Sequence, residues 1–141
     1  MIALLDISVL LALVDPGHKH HEQAHDWATR EVDDGWATCA ITQNGLVRIL
    51  SQPKYPNHVT VGTARELLHA LTEHPKHQFW ECDLQLTSEG IRHDQLIGSR
   101  QITDTYLLAL AISKQGRFVT LDRRVRVSAV AGASSEHLVV L

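Results

Sequence analysis

Short apolar runs closed by polar residues alternate along this chain with longer stretches whose apolar positions recur every three or four residues. Ile2-Ala3-Leu4-Leu5, closed by Asp6, predicts a strand buried on both faces with a carboxylate at its carboxyl end, and a short helix is expected directly after it. From about His18 to Val32 the residues Ala24, Trp27, Ala28 and Glu31 keep helical spacing, between a break at Pro16-Gly17 and a stop at Asp33-Asp34-Gly35. Trp36-Ala37-Thr38-Cys39 reads as a second strand, after which Thr42 can cap a helix with the face Leu46, Ile49 and Leu50 that Pro53 ends. Pro53 to His58 is expected as loop. Val61 to Glu73 reads as a helix with Leu67, Leu68 and Leu71 inward, closed by His74-Pro75, and Gln78 to Cys82 as the third strand. Ser88 to about Ile97 reads as irregular or briefly helical. Thr103 then caps a helix with Tyr106, Leu107, Leu110, Ala111 and Lys114 on one side and Gly116 at its end. Phe118-Val119-Thr120-Leu121 is the fourth strand, with Asp122 at its end, and Leu138 to Leu141 a weaker fifth.

Strands too short and apolar to be half-exposed, alternating with helices, imply a parallel sheet covered on both faces. The expected fold is therefore α/β, a three-layer α/β/α sandwich on a short parallel sheet of about five strands. No repeat or linker divides it, so residues 1–141 are expected as a single domain. Ligands of open parallel sheets bind beyond the carboxyl ends of the strands. Asp6 and Asp122 stand at two such ends and Asp104 opens a helix facing the same crevice, so the three carboxylates are expected to converge.

Composition sharpens this picture. A hydrophobic share of 44% and a formal charge of −3 exclude a disordered chain and a uniformly basic nucleic-acid coat, but not a local nucleic-acid site. Arg117, Arg123, Arg124 and Arg126 fall within ten residues and make a candidate phosphate-binding patch. The longest apolar run, Tyr106 to Ile112, is too short to cross a bilayer, and Asp6 interrupts any signal-peptide core, which points to a cytoplasmic protein without a membrane partner. Cys39 and Cys82 lie in no paired spacing, against a disulfide framework or a cysteine zinc site.

Two unit charges of like sign repel by about 4 kcal/mol at 4 Å and an effective dielectric of 20, so clustered carboxylates require protons or a cation. Oxygen-only ligands suit Mg²⁺ or Mn²⁺ better than Zn²⁺, and such sites direct water at phosphodiesters. The chain resembles the PIN-domain ribonucleases of the VapC toxin type over nearly its whole length. The matching segments include Leu4-Leu5-Asp6-Ile7-Ser8-Val9-Leu10-Leu11-Ala12-Leu13, Gly35-Trp36-Ala37-Thr38-Cys39, Thr42-Gln43-Asn44-Gly45-Leu46-Val47-Arg48-Ile49-Leu50, Gln101-Ile102-Thr103-Asp104-Thr105-Tyr106-Leu107-Leu108-Ala109-Leu110-Ala111 and Gly116-Arg117-Phe118-Val119-Thr120-Leu121-Asp122-Arg123. The resemblance implies a metal-dependent endoribonuclease that acts on RNA and is neutralised by a cognate antitoxin encoded beside it. It implies an acidic site at Asp6, position 43, Asp104 and Asp122, supported by Ser8 and Thr120. Where the family usually has Glu, this chain has Gln43, which implies a weakened site or a catalytically impaired module that binds antitoxin or RNA without cleaving. An acid at position 43 is accordingly expected to strengthen metal binding and cleavage. A homodimer is expected because the apolar helical faces exceed what a small sheet can cover.

His21-Glu22-Gln23-Ala24-His25 fits H-E-x-x-H, which on a helix would bind zinc through two histidines with Glu22 as base of a metalloprotease. That reading also needs a third ligand and a cleft around the helix. Asp6-Ile7-Ser8 has the shape of an aspartyl phosphatase motif but lacks its second acid.

Overall fold

The computed structural model describes residues 1–96 and 98–141, so Ile97, the end of the stretch read as irregular, lies outside the described residues. Five strands, β1 (Ala3–Leu5), β2 (Trp36–Cys39), β3 (His77–Trp80), β4 (Arg117–Thr120) and β5 (Leu138–Val140), form one parallel sheet in the order β3-β2-β1-β4-β5. The central strand β1 is buried throughout, as its unbroken apolar run requires.

One face of the sheet carries α1 (Ile7–Val14), α2 (His21–Glu31), α3 (Ala40–Leu50) and α4 (Val61–Thr72), packed around Ala3, Leu5, Trp27, Trp36, Leu46 and Val119. The opposite face carries α5 (Ile102–Ser113), whose residues Thr105 to Ala111 are all buried. A helix apolar on every side must be covered on every side. Ile91 and Val130 are buried in the same cluster as Phe118 and Leu107, with Leu84 and Val125 packed against it. The three-layer α/β/α sandwich is thus the observed fold.

Several element ends differ from the sequence reading for local reasons. The second helix begins at His21, three residues later than expected, because residues 18–20 form turns. Thr42 lies in the first turn of α3 and accepts the Cys39 N–H at 3.0 Å, so Cys39, not Thr42, is the capping position. Likewise α5 starts at Ile102, ahead of Thr103. At its far end the left-handed residue is Gln115, with φ of 58°, and Gly116 serves close approach: a Cβ there would lie 2.6 Å from the Ile2 carbonyl oxygen. Glycine matters equally at Gly45, where a Cβ would lie 2.2 Å from Ile7 Cδ1, so α3 closes directly onto α1. No described helix is long and apolar enough to cross a membrane.

Candidate active site

Asp6 leaves the centre of the sheet and becomes the N-cap of α1. Its Oδ1 accepts the Ile7 N–H at 2.7 Å, and its Oδ2 accepts the hydroxyls of Ser8 and Thr120, each at 2.7 Å. Ser8 and Thr120 also receive N–H groups from the β4 exit, Leu121 at 3.2 Å and Asp122 at 3.0 Å. Two hydroxyls therefore fasten the ends of β1 and β4 to one carboxylate and place Asp122 beside it. These bonds occupy three of about four lone-pair positions on Asp6 and leave Oδ1 with one to offer.

Burial, opposed by the three hydrogen bonds and helped by the charge of Asp122, raises the Asp6 carboxyl above the usual range. Burial first, then the charges of Asp6 and Asp122, push Asp104 up to about 7, against a lowering pull from Arg124. Asp122 is held low by the Arg124 guanidinium, which donates from Nε at 2.9 Å and Nη2 at 2.8 Å to its two oxygens. The first turn of α5 and the β4 exit thus place Asp104 and Asp122 on one pocket, with Asp6 tied to the β4 exit through Thr120. Hard oxygen donors under repulsion fit a divalent cation such as Mg²⁺ or Mn²⁺. Among the described residues no group of three acids, histidines or cysteines stands close enough together to hold a metal ion as the side chains lie.

Gln43 does not join them, which corrects its expected place. Its amide donates to Thr38 Oγ1 at 2.9 Å, and Thr38 in turn meets His77 Nε2 at 2.8 Å. Strand alternation puts Thr38 on the Trp36 face of the sheet, whereas Thr120, the partner of Asp6, shares the Phe118 face. The part of α3 turned toward Ile7 and Thr103, next to two of the acids, carries Asn44, Gly45 and Arg48. The spacing of α3 could have indicated this, since positions 44, 45 and 48 share a helical side that excludes 43.

The arginine group also divides. Arg123, Arg124 and Arg126 line one surface with Arg100, and Gln95, Arg100, Arg124 and Arg126 line a pocket with Asp104 and Asp122. Arg117 belongs elsewhere: at the opposite end of β4 it donates to the Glu31 carbonyl at 2.9 Å and lies over the Trp27 ring, 5.6 Å from its centroid. Sequence reasoning overlooked Arg100, which sits in the irregular approach to α5 with no periodicity to mark it.

His21 and His25 share one helical side, as H-E-x-x-H requires, but that side faces the end of α1. His21 Nδ1 lies 2.7 Å from the Ala12 carbonyl oxygen and His25 Nε2 lies 3.1 Å from that of Leu13. A ring nitrogen facing a carbonyl carries the proton, so these two nitrogens donate to helix-end carbonyls; each ring keeps its other nitrogen, but among the described residues no third ligand joins them to hold zinc. Replacing His21 with alanine is expected to leave RNA cleavage intact and to cost about 0.5–1.5 kcal/mol of stability, measured by urea unfolding. Another buried acid the sequence did not mark is Asp15. Against burial, donors from Tyr55, Gly17 and Asn57 hold its carboxyl low, tying the loop after α3 to the end of α1. Cys39 and Cys82 are free thiols.

A family model described as the PIN domain matches residues 3–131. The chain belongs to the PIN-domain family. Within it the relatives are VapC proteins: Ribonuclease VapC44 of Mycobacterium tuberculosis is 49% identical over 142 residues, covering all of both chains. Ribonuclease VapC39 of the same species is 42% identical over 135 residues, 94% of this chain and 96% of that one. Two solved structures share the PIN fold. M. tuberculosis VapC20, described as a sarcin-ricin loop cleaving toxin, matches with a TM-score of 0.61 at 15% identity, over 82% of this chain and 85% of that one. VapBC2 from Rickettsia felis, bound to a promoter DNA fragment, matches with a TM-score of 0.62 at 13% identity, over 100% and 98%. At such identities the likeness concerns the fold.

Proposed function

We propose that this VapC-family PIN protein is the toxin of a toxin–antitoxin pair, a cytoplasmic endoribonuclease that hydrolyses RNA phosphodiesters at a Mg²⁺ or Mn²⁺ site made by Asp6, Asp104 and Asp122. What supports this reading is that Asp104 and Asp122 line one pocket at the strand ends, while Thr120 donates to Asp6 and accepts the Asp122 N–H beside it. The ribonuclease names of relatives that match over most or all of the chain supply the reaction class.

A bound divalent ion supplies positive charge that acidifies the attacking water and neutralises the phosphate in the transition state. Asp6, fixed by Ser8, Thr120 and the start of α1, is the rigid ligand; Asp104 and Asp122 complete the set from α5 and the β4 exit. Arg100, Arg123 and Arg126 offer an RNA phosphate surface beside them, and the products expected from attack by water are 5′-phosphate and 3′-hydroxyl ends. A cognate antitoxin and a homodimeric assembly complete the proposal, and the groove between α2 and α4, lined by Leu13, Ala28, Val32, Trp36 and Leu71, offers apolar surface for association.

The alternative, a catalytically impaired module, starts from Gln43; its amide bond to Thr38, on the other face of the sheet from Thr120, speaks against a part for it in the metal site. Gln43→Glu is therefore expected to leave cleavage within about twofold of the parent across a Mg²⁺ titration, less than the tenfold that about 1.4 kcal/mol at the transition state would give. A gain of tenfold or more would restore position 43 to the site.

The test of the function itself uses purified, antitoxin-free protein and structured RNA. Cleavage is expected to stop in excess EDTA and return with Mg²⁺ or Mn²⁺, leaving 5′-phosphate ends. Persistence in EDTA would overturn the proposal.

A further inference from the structure

Asp122 is the one acid of the three already matched by a cation. Arg124 grips it with its whole polar end: Nε lies 2.9 Å from Oδ1 and 3.2 Å from Oδ2, and Nη2 lies 2.8 Å from Oδ2. The Arg124 backbone N–H donates separately to Oδ1 at 2.9 Å. A fork on both oxygens occupies the in-plane lone pairs that a metal ion would use. The site as it stands is therefore closed on this side.

The two partners are unequally anchored. The Arg124 side chain is 68% exposed, that of Asp122 25%. Asp122 is fixed through its own N–H to Thr120, which also holds Asp6. If the guanidinium left, the backbone bond from Arg124 would still orient the carboxylate. Solvent screens a pair whose guanidinium is this exposed, so a divalent ion held by three acids can displace it. The released side chain would enter the surface of Arg100, Arg123 and Arg126. Cations gathered there repel one another and favour a polyanion.

We propose that Arg124 is a resident counter-ion: it holds Asp122 in the metal-free protein, yields it to the incoming divalent ion, and then turns to the RNA phosphates. This rests on the proposed metal site at Asp6, Asp104 and Asp122. Arg124 thereby links metal arrival to substrate binding, since the same charge serves the acid in one state and the RNA in the other.

The experiment is Mn²⁺ titration by calorimetry of the metal-free protein and of Arg124→Gln, Arg124→Lys, Arg126→Gln and Asp104→Asn. Arg124→Gln is expected to bind Mn²⁺ about two- to fivefold more tightly, the modest gain that loss of a solvent-screened ion pair allows. Arg124→Lys, which keeps the charge without the fork, should fall between it and the parent, and Arg126→Gln should match the parent. At saturating Mn²⁺, Arg124→Gln should need more RNA for half-maximal cleavage and show a shallower salt dependence of RNA binding. Equal or weaker Mn²⁺ binding by Arg124→Gln, or an equal gain in Arg126→Gln, would overturn the role of Arg124. Undiminished binding by Asp104→Asn would instead overturn the metal site beneath it.

Discussion

Replacing Asp104 with asparagine is expected to reduce RNA cleavage by about 10³-fold or more and, in metal-free buffer, to make the protein more stable. The activity loss follows because an amide keeps the shape but loses the charge that holds the cation and balances the transition state. The stability gain follows from the same charge. Asp104 is half-buried near two other acids and titrates at about 7, far above the ordinary carboxylate value of 3.8. Between those values the folded chain holds a proton that the unfolded chain has released, so the native state loses stability as pH rises through this window. The asparagine variant escapes that loss. Its advantage in melting temperature should therefore grow from pH 5 to pH 8 and level off above, and addition of Mn²⁺ should shrink it by stabilising only the parent. A variant that melts below the parent at pH 8 without metal would show that burial and repulsion do not raise the Asp104 carboxyl.

Asp6→Ala should abolish cleavage to a similar extent with the opposite effect on stability. Asp6 is buried to 5% exposure, caps α1 and is the acceptor for the Ser8 and Thr120 hydroxyls. Alanine removes the cap and strands the hydroxyls of buried Thr120 and half-buried Ser8, a cost of about 1–3 kcal/mol. In a chain of this size that corresponds to a melting temperature lower by about 3–10 °C. Asp6→Asn, which retains an oxygen toward Ser8 and Thr120, should recover part of the stability and none of the activity. The pair Asp104→Asn and Asp6→Ala thus separates an acid placed only for chemistry from one that also organises the fold.

Much of this was readable in the chain because it rests on local rules. An apolar run ended by Asp6, and another followed by Asp122, identify strand ends without any tertiary knowledge, and the parallel sheet then brings those ends to one edge. Asp104 was legible for a similar reason, as an acid in the first turn of a strongly apolar helix. Gln43 was read from the resemblance alone, whereas its direction depends on where α3 begins. With the cap at Cys39 and Gly45 pressed on Ile7, Gln43 is rotated toward Thr38. Arg117 is a different case. Closeness in sequence to Arg123 hides the length of β4 between them, which carries the two to opposite ends of the sheet. The H-E-x-x-H match was sound as helix geometry, but only the packing of α2 on α1 reveals that its imidazoles face the carbonyls of Ala12 and Leu13. The Arg124 fork involves two exposed or half-exposed side chains in a turn, where no periodicity marks the contact.

The most direct measurement of the central claim is anomalous diffraction from crystals of the protein grown without antitoxin and soaked in Mn²⁺. One strong peak is expected between Asp6, Asp104 and Asp122, at coordinating distance from their oxygens, with Arg124 turned off Asp122. A peak at His21 and His25, or none beside the three acids in crystals whose protein cleaves RNA under the same conditions, would contradict the account.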